Sequence, residues 1–67
     1  MLIKLTERET QILKLIASGL TNKAIARHLL ITESTVENHI HNIYKKLDTD
    51  NRAQATAYAF LTGIMAS

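Results

Sequence analysis

The chain has 67 residues, a formal net charge of +2 and no cysteine. That allows one domain, spanning residues 1–67, with a small core and neither a disulfide framework nor a thiolate metal site to reinforce it. The charge is too weakly basic for overall electrostatics to announce a nucleic-acid binder, so its distribution along the chain has to carry that argument.

Stability must come from helix quality and a compact aliphatic core. Proline is absent, Gly19 and Gly63 are the only glycines, and Ala, Leu, Ile and Lys are plentiful. Helix formers with so few breakers predict an all-α domain. No stretch is long or apolar enough to span a membrane, and no signal peptide opens the chain, so a soluble cytoplasmic protein without a membrane partner is expected.

Met1 to Leu5 reads as a short lead-in. Thr6 followed by Glu9 has the form of a capping box, and Glu7 and Glu9 place negative charge at the positive end of a helix dipole. Ile12, Leu13 and Ile16 then recur at helical spacing, with Leu15 near the edge of the same stripe. A first helix is expected over about 7–17, ended by Ser18-Gly19 with Gly19 in a left-handed conformation. Leu20 re-enters the core and Thr21 is the next N-cap candidate. A second helix follows over about 22–29, with Ile25 and Leu29 inward, Ala24 and Ala26 small enough for close helix contact, and Lys23 and Arg27 sharing an outer face. Leu30-Ile31-Thr32 forms a short connection, without the glycine such turns often contain, and Thr32 caps a third helix over about 33–47. Helices two and three form a helix-turn-helix pattern.

The third helix, ESTVENHIHNIYKKL, has two distinct faces. With 100° per residue and Val36 at zero, Ile40, Ile43 and Leu47 fall within about 40° of it and Tyr44 at about 80°. Ser34, Asn38, His41 and Lys45 lie opposite, flanked by Glu37 and Asn42. A row of hydroxyl, amide and imidazole groups ending in Lys45 and Lys46 suits the base edges and phosphates of a nucleic acid. Ordinary surface residues would also explain it. Asp48-Thr49-Asp50-Asn51 breaks the pattern, and Asn51 with Gln54 has the form of another capping box. A fourth helix is expected over about 52–61. Its Ala53, Ala55, Ala57, Tyr58, Ala59, Phe60 and Leu61 are more apolar than one buried face requires, which fits either good helix formers on a wet surface or a helix–helix interface. Beyond Gly63 the chain is expected to loosen, with Ile64 and Met65 frayed.

Enzymatic and metal chemistry finds little support. His39 and His41 sit about 200° apart around one helix and cannot chelate one ion, His28 lies on another helix, and no phosphate-cradling glycine loop or nucleophile elbow occurs. No catalytic residue, metal, cofactor or small-molecule ligand is expected. His39, at the border of the aliphatic seam, reads as a half-buried packing and hydrogen-bonding residue.

Leu5-Thr6-Glu7-Arg8-Glu9, Gly19-Leu20-Thr21-Asn22-Lys23, Ile25-Ala26, Thr35-Val36, His39, Asn42-Ile43, Lys46-Leu47 and Asn51-Arg52-Ala53 stand in series at consistent spacing. Together they resemble the helix-turn-helix domain of LuxR/FixJ-type (GerE-like) bacterial transcription regulators, from Leu5 to about Ala59. The resemblance implies a four-helix domain, commonly the output domain of a response regulator or sensor protein in a two-component system. Its third helix would enter the major groove of double-stranded DNA, and its fourth would mediate dimerisation, here through Ala53, Ala57, Tyr58, Phe60 and Leu61. Carried over by position, base contacts fall on Glu37, Asn38, His41 and Asn42, and backbone contacts on Thr21, Lys23, Ser34, Thr35, Lys45 and Lys46. Many members carry a cation where this chain has Glu37, and His41 also replaces a cation often found there. A carboxylate at position 37 repels phosphate but accepts from cytosine N4, or pairs with His41 four residues on; the intrahelical pairing is ranked slightly ahead.

Two other readings stand beside this one. A sigma-factor region 4-like module would share the Leu-Thr-x-Arg-Glu opening and have RNA polymerase as its partner. A helical interaction module with weak or no DNA binding would use the apolar fourth helix as its contact surface.

Overall fold

The computed structural model describes residues 4–66 of the chain. The first three positions of the expected lead-in lie outside the described residues. Four α-helices follow in order: α1 (Glu7–Ala17), α2 (Asn22–Leu29), α3 (Glu33–Leu47) and α4 (Arg52–Leu61). A short 3₁₀ turn, Ile64–Ala66, closes the described chain. The domain is all-α, as composition predicts.

Each α-helix begins where a side chain can satisfy its free amides. At α1 the capping box is complete: Glu9 N donates to Thr6 Oγ1 at 3.1 Å and Thr6 N to Glu9 Oε1 at 2.9 Å. Thr21 and Thr32 accept from Ala24 N and Thr35 N, each at 3.1 Å. Asn51 accepts from Gln54 N at 2.8 Å, but the return arm of the expected box is not made. Gln54 Oε1 accepts from the Thr49 hydroxyl instead, and Asn51 N donates to Thr49 Oγ1. The Asp48–Asp50 segment thus supplies a closer partner than the helix's own cap residue.

Helix ends follow one pattern three times. Gly19, Leu30 and Asp48 all have positive φ. The residue after each sends its amide back to a carbonyl five positions earlier: Leu20 to Leu15, Ile31 to Ala26 and Thr49 to Tyr44. Together with the amide bonds of Gly19, Leu30 and Asp48 themselves, these make Schellman closures. Glycine adopts that conformation without penalty at position 19, whereas Leu30 and Asp48 carry a Cβ into it.

The core comprises Ile12, Leu13 and Ile16 of α1, Ile25 and Ala26 of α2, Val36, Ile40 and Ile43 of α3, and Ala55 and Ala59 of α4. α1 is the hub, packing against α4, α3 and α2, while α2 packs on α3 and α1. Leu20 and Ile31 precede the caps of α2 and α3 and pack against the core whose Ile25 and Val36 lie four positions into those helices, as in hydrophobic staples. Leu29 and Leu47 are only half-buried at its rim. Ile64 and Met65, expected to fray, instead lie half-buried against the core in the 3₁₀ turn, which packs on α1 and α4. Gly63, with φ +79°, redirects the chain so that these two apolar side chains return to the domain.

Candidate nucleic-acid interface

The α3 face opposite Val36, Ile40 and Ile43 is open to solvent. Glu37, Asn38, His41 and Asn42, the four base-facing candidates, are all exposed, as are Ser34, Lys45 and Lys46. Thr35 is half-buried, and its hydroxyl shares a 2.9 Å hydrogen bond with that of Thr32, so part of its capacity serves the cap. Charge is graded along the helix: Glu33 in the first turn, Glu37 in the second, Lys45 and Lys46 in the last. That order complements the helix dipole and concentrates positive charge at the C-terminal end of the face.

The start of α2 presents the other candidates. Thr21 and Lys23 are exposed. The Thr21 oxygen accepts from Ala24 N, which leaves its hydroxyl hydrogen to donate outward. This first turn, Asn22 to Ala24, buries no apolar side chain of its own. It is held from another helix. Arg52 at the start of α4 donates from Nη1 to Asn22 Oδ1 at 2.9 Å and from Nη2 to the Leu20 carbonyl at 2.5 Å.

A second long-range tie fixes the end of α3. Lys46 Nζ lies 2.7 Å from Glu9 Oε1. The Glu9 carboxylate is nearly buried and receives Lys46 and the Thr6 amide together. Burial by itself would push its pKa up, but the Lys46 ammonium and the hydrogen bonds from Thr6 outweigh it and hold the carboxyl below its ordinary value. Lys46 therefore reaches the solvent face with its ammonium already engaged, whereas Lys45 has no ion-pair partner among the described residues.

Neither tie was anticipated from sequence, which assigned Glu9 to capping alone and Lys46 to phosphate. A signal for Glu9 was present: it lies three, four and seven residues before Ile12, Leu13 and Ile16, on their buried stripe. An acid on an apolar stripe needs a partner, and only a cation from elsewhere in the fold supplies one. For Arg52 no comparable periodic signal exists.

The expected pairing of Glu37 with His41 is not formed. Glu37 and His41 both extend into solvent, where a surface pair gains little Coulomb energy against the entropy of fixing two side chains. His39 is half-buried as expected, but without a hydrogen bond to another group among the described residues. No group of three or more His, Cys, Asp or Glu side chains is placed to hold a metal ion, and no helix is long and apolar enough to cross a membrane, again among the described residues.

On α4 the apolar excess divides in two. Ala55 and Ala59 are fully buried. Ala53, Ala57, Phe60 and Leu61 are exposed along the opposite side, with Phe60 60% and Leu61 87% accessible. Tyr58 is half-buried against the core, so of the five dimer candidates it lies at the edge of the outer face.

With this geometry in view, comparison with known proteins places the chain. Residues 4–59 match the family described as bacterial regulatory proteins, luxR family. The chain belongs to that family. The sequence is 48% identical over 63 residues to transcriptional regulatory protein LnrK of Bacillus subtilis, covering 94% of this chain and 29% of the relative. It is 56% identical over 55 residues to transcriptional regulatory protein LiaR of the same organism, and 53% identical over 55 residues to the nitrate/nitrite response regulator protein NarL of Escherichia coli. Each of those two matches covers 82% of this chain and 26% of the relative. The chain thus spans between a quarter and a third of the length of these luxR-family regulators.

Proposed function

We propose that this luxR-family domain binds double-stranded DNA sequence-specifically to regulate transcription, as the output domain of a response regulator or sensor protein in the bacterial cytoplasm. The observation that carries this reading is the two-sidedness of α3. Val36, Ile40 and Ile43 lock one side into the core, while Glu37, Asn38, His41 and Asn42 stand together on the exposed side. An α-helix fits the major groove, where amide, imidazole and carboxylate groups meet the donor and acceptor pattern of base edges. Thr21, Lys23, Ser34, Thr35, Lys45 and Lys46 would set the register on the phosphates, with Lys46 contributing charge from within its pair with Glu9. With Glu37 free of His41, its carboxylate is available to accept from cytosine N4, and it disfavours close phosphate approach at the same point. Homodimerisation on DNA would use the outer face of α4, from Ala53 and Ala57 to Phe60 and Leu61, with Tyr58 at its edge.

Selection of bound duplexes from a randomised pool at moderate salt tests the reading. A recurrent half-site is expected, and its spacing would report the dimer geometry; recovery of unenriched sequence would refute sequence-specific binding. Lys45→Ala is expected to weaken binding to every sequence and to reduce the salt slope by about one. Asn38→Ala is expected to change the preferred base at one position.

A second reading, a helical interaction module without DNA affinity, draws on the exposed Phe60 and Leu61. Dimerisation of a chain that selects no duplex would favour it.

A further inference from the structure

The first turn of α2 poses a mechanical problem. Under the DNA-binding reading, Thr21 and Lys23 grip the phosphates from a helix of eight residues whose buried side chains, Ile25 and Ala26, begin only at its second turn. Nothing apolar in Asn22, Lys23 or Ala24 is buried. The backbone before it is a turn through Gly19, with φ +94°. A phosphate contact made from so lightly anchored a segment would have to order it on binding, at a cost in affinity.

Arg52 adds a polar anchor to the apolar one that Leu20 makes just before the cap. α4 packs on α1 and α3 rather than on α2, yet its first residue reaches across to the α1–α2 connection. The guanidinium holds two groups that bracket Thr21: the Leu20 carbonyl on one side and the Asn22 side-chain oxygen on the other. Both acceptors are neutral, so the cation is not cancelled by a carboxylate and its positive charge remains beside the phosphate-binding end of α2. The planar fork is also suited to two acceptors at once, which a lysine ammonium on a flexible stem fixes less well.

We propose that Arg52 is a positioning residue for DNA binding, holding Thr21 and Lys23 in place for phosphate contact by clasping the residues on either side of Thr21. The inference rests on the DNA-binding reading above and specifies what that reading requires of the start of α4. Arg52 need not touch DNA; it acts through the α2 first turn. Asn22 is its partner, rather than a phosphate ligand in its own right.

The test uses the 67-residue chain and duplexes selected as above. Fluorescence anisotropy at several salt concentrations would compare wild type with Arg52→Met, Arg52→Lys, Asn22→Ala and the Arg52→Met/Asn22→Ala pair. Amide hydrogen exchange of the free proteins would report the α2 first turn directly. Arg52→Met is expected to weaken binding roughly tenfold and to lower the salt slope by about one, with the preferred base sequence unchanged. Asn22→Ala should cost less, and the double variant no more than Arg52→Met alone, because both remove one clasp. Arg52→Lys should recover part of the loss. Exchange should quicken selectively at Ala24 and Ile25, the amides of this turn that Thr21 holds.

An unchanged salt slope in folded Arg52→Met would overturn the proposal while leaving DNA binding intact. Additive losses in the double variant would do the same. If Arg52→Met does not fold, Arg52→Lys and Asn22→Ala decide the matter by the same slope and exchange measurements. A wild-type chain that binds no duplex would overturn the DNA reading and this inference with it.

Discussion

α3 and α4 are both amphipathic helices capped by a side chain, yet they place their bulk on opposite sides. α3 turns Val36, Ile40 and Ile43 inward and leaves amides, imidazole and cations outside. α4 buries Ala55 and Ala59 fully, rests Tyr58 half-buried at the core's edge and leaves Phe60 and Leu61 outside. The buried side of α3 is therefore held by volume, and that of α4 by close backbone approach to α1. A helix that presents a polar surface needs heavy apolar anchoring behind it, since its outer face contributes nothing to the core. In α4 the large apolar side chains Phe60 and Leu61 stand in solvent, and alanines fill the fully buried side.

The sharpest way to break this contrast is to remove the volume from α3. Ile43 has no accessible surface. Ile43→Ala is expected to cost about 2–5 kcal/mol, combining lost transfer energy with the cavity left behind. A domain of this size has a total stability on the order of 3–10 kcal/mol at the typical value per residue. The variant should therefore be largely or wholly unfolded at moderate urea, as followed by far-ultraviolet circular dichroism. A loss below about 1 kcal/mol would show that α3 is not anchored by volume.

The complementary change adds volume to α4. Ala59 is fully buried, so Ala59→Leu should force α4 away from its neighbours and cost about 1–3 kcal/mol. Leu61→Gln, two residues on and exposed, serves as the control and should move stability by no more than about 0.5 kcal/mol. If Ala59→Leu were neutral, the alanines would be filling a loose gap and the two helices would be held in the same way.

The parts of this architecture that were legible in sequence are local ones. Helix limits at 7–17, 22–29, 33–47 and 52–61 could be read because Thr6, Thr21, Thr32 and Asn51 each cap the residue three positions on, and because aliphatic spacing marks the interiors. Exposure of Glu37, Asn38, His41 and Asn42 follows from the same periodicity. What could not be read depends on tertiary placement. Lys46–Glu9 and Arg52–Asn22 join residues 37 and 30 positions apart, and no local pattern couples them. Leu30, 91% exposed with φ +58°, occupies a conformation that residue preference argues against; the Schellman bonds of Leu30 and Ile31 at the end of α2 hold it there. Composition alone does not divide the α4 alanines, because alanine is equally at home on either side of a helix; the family resemblance singled out Ala53 and Ala57, and these are the exposed pair while Ala55 and Ala59 are buried.

The smallest expected effect separates the two polar ties that supplement this packing. The end of α3 is tied by an ionisable pair, Lys46–Glu9, and the start of α4 by a guanidinium on an amide oxygen and a carbonyl. Only the first can be released by acid. The Glu9 carboxyl is held below its ordinary value in the folded state, so the unfolded chain takes up the proton at higher pH than the folded one. Its contribution is complete above the unfolded value, about 4.3 for glutamate, and is lost as pH falls from there through the lower folded value. Glu9→Gln keeps an acceptor for the Thr6 amide but removes the charge facing Lys46. Urea midpoints should therefore show wild type more stable than Glu9→Gln at neutral pH, with the gap closing below about pH 4. The corresponding gap between wild type and Arg52→Met should not follow that curve, since neither of its acceptors titrates. Because Lys46 is 38% exposed, solvent screens the pair and the Glu9 gap should be modest. No gap between wild type and Glu9→Gln at neutral pH would mean that Glu9 stabilises the domain through its cap alone, leaving Lys46 free to serve the exposed face of α3.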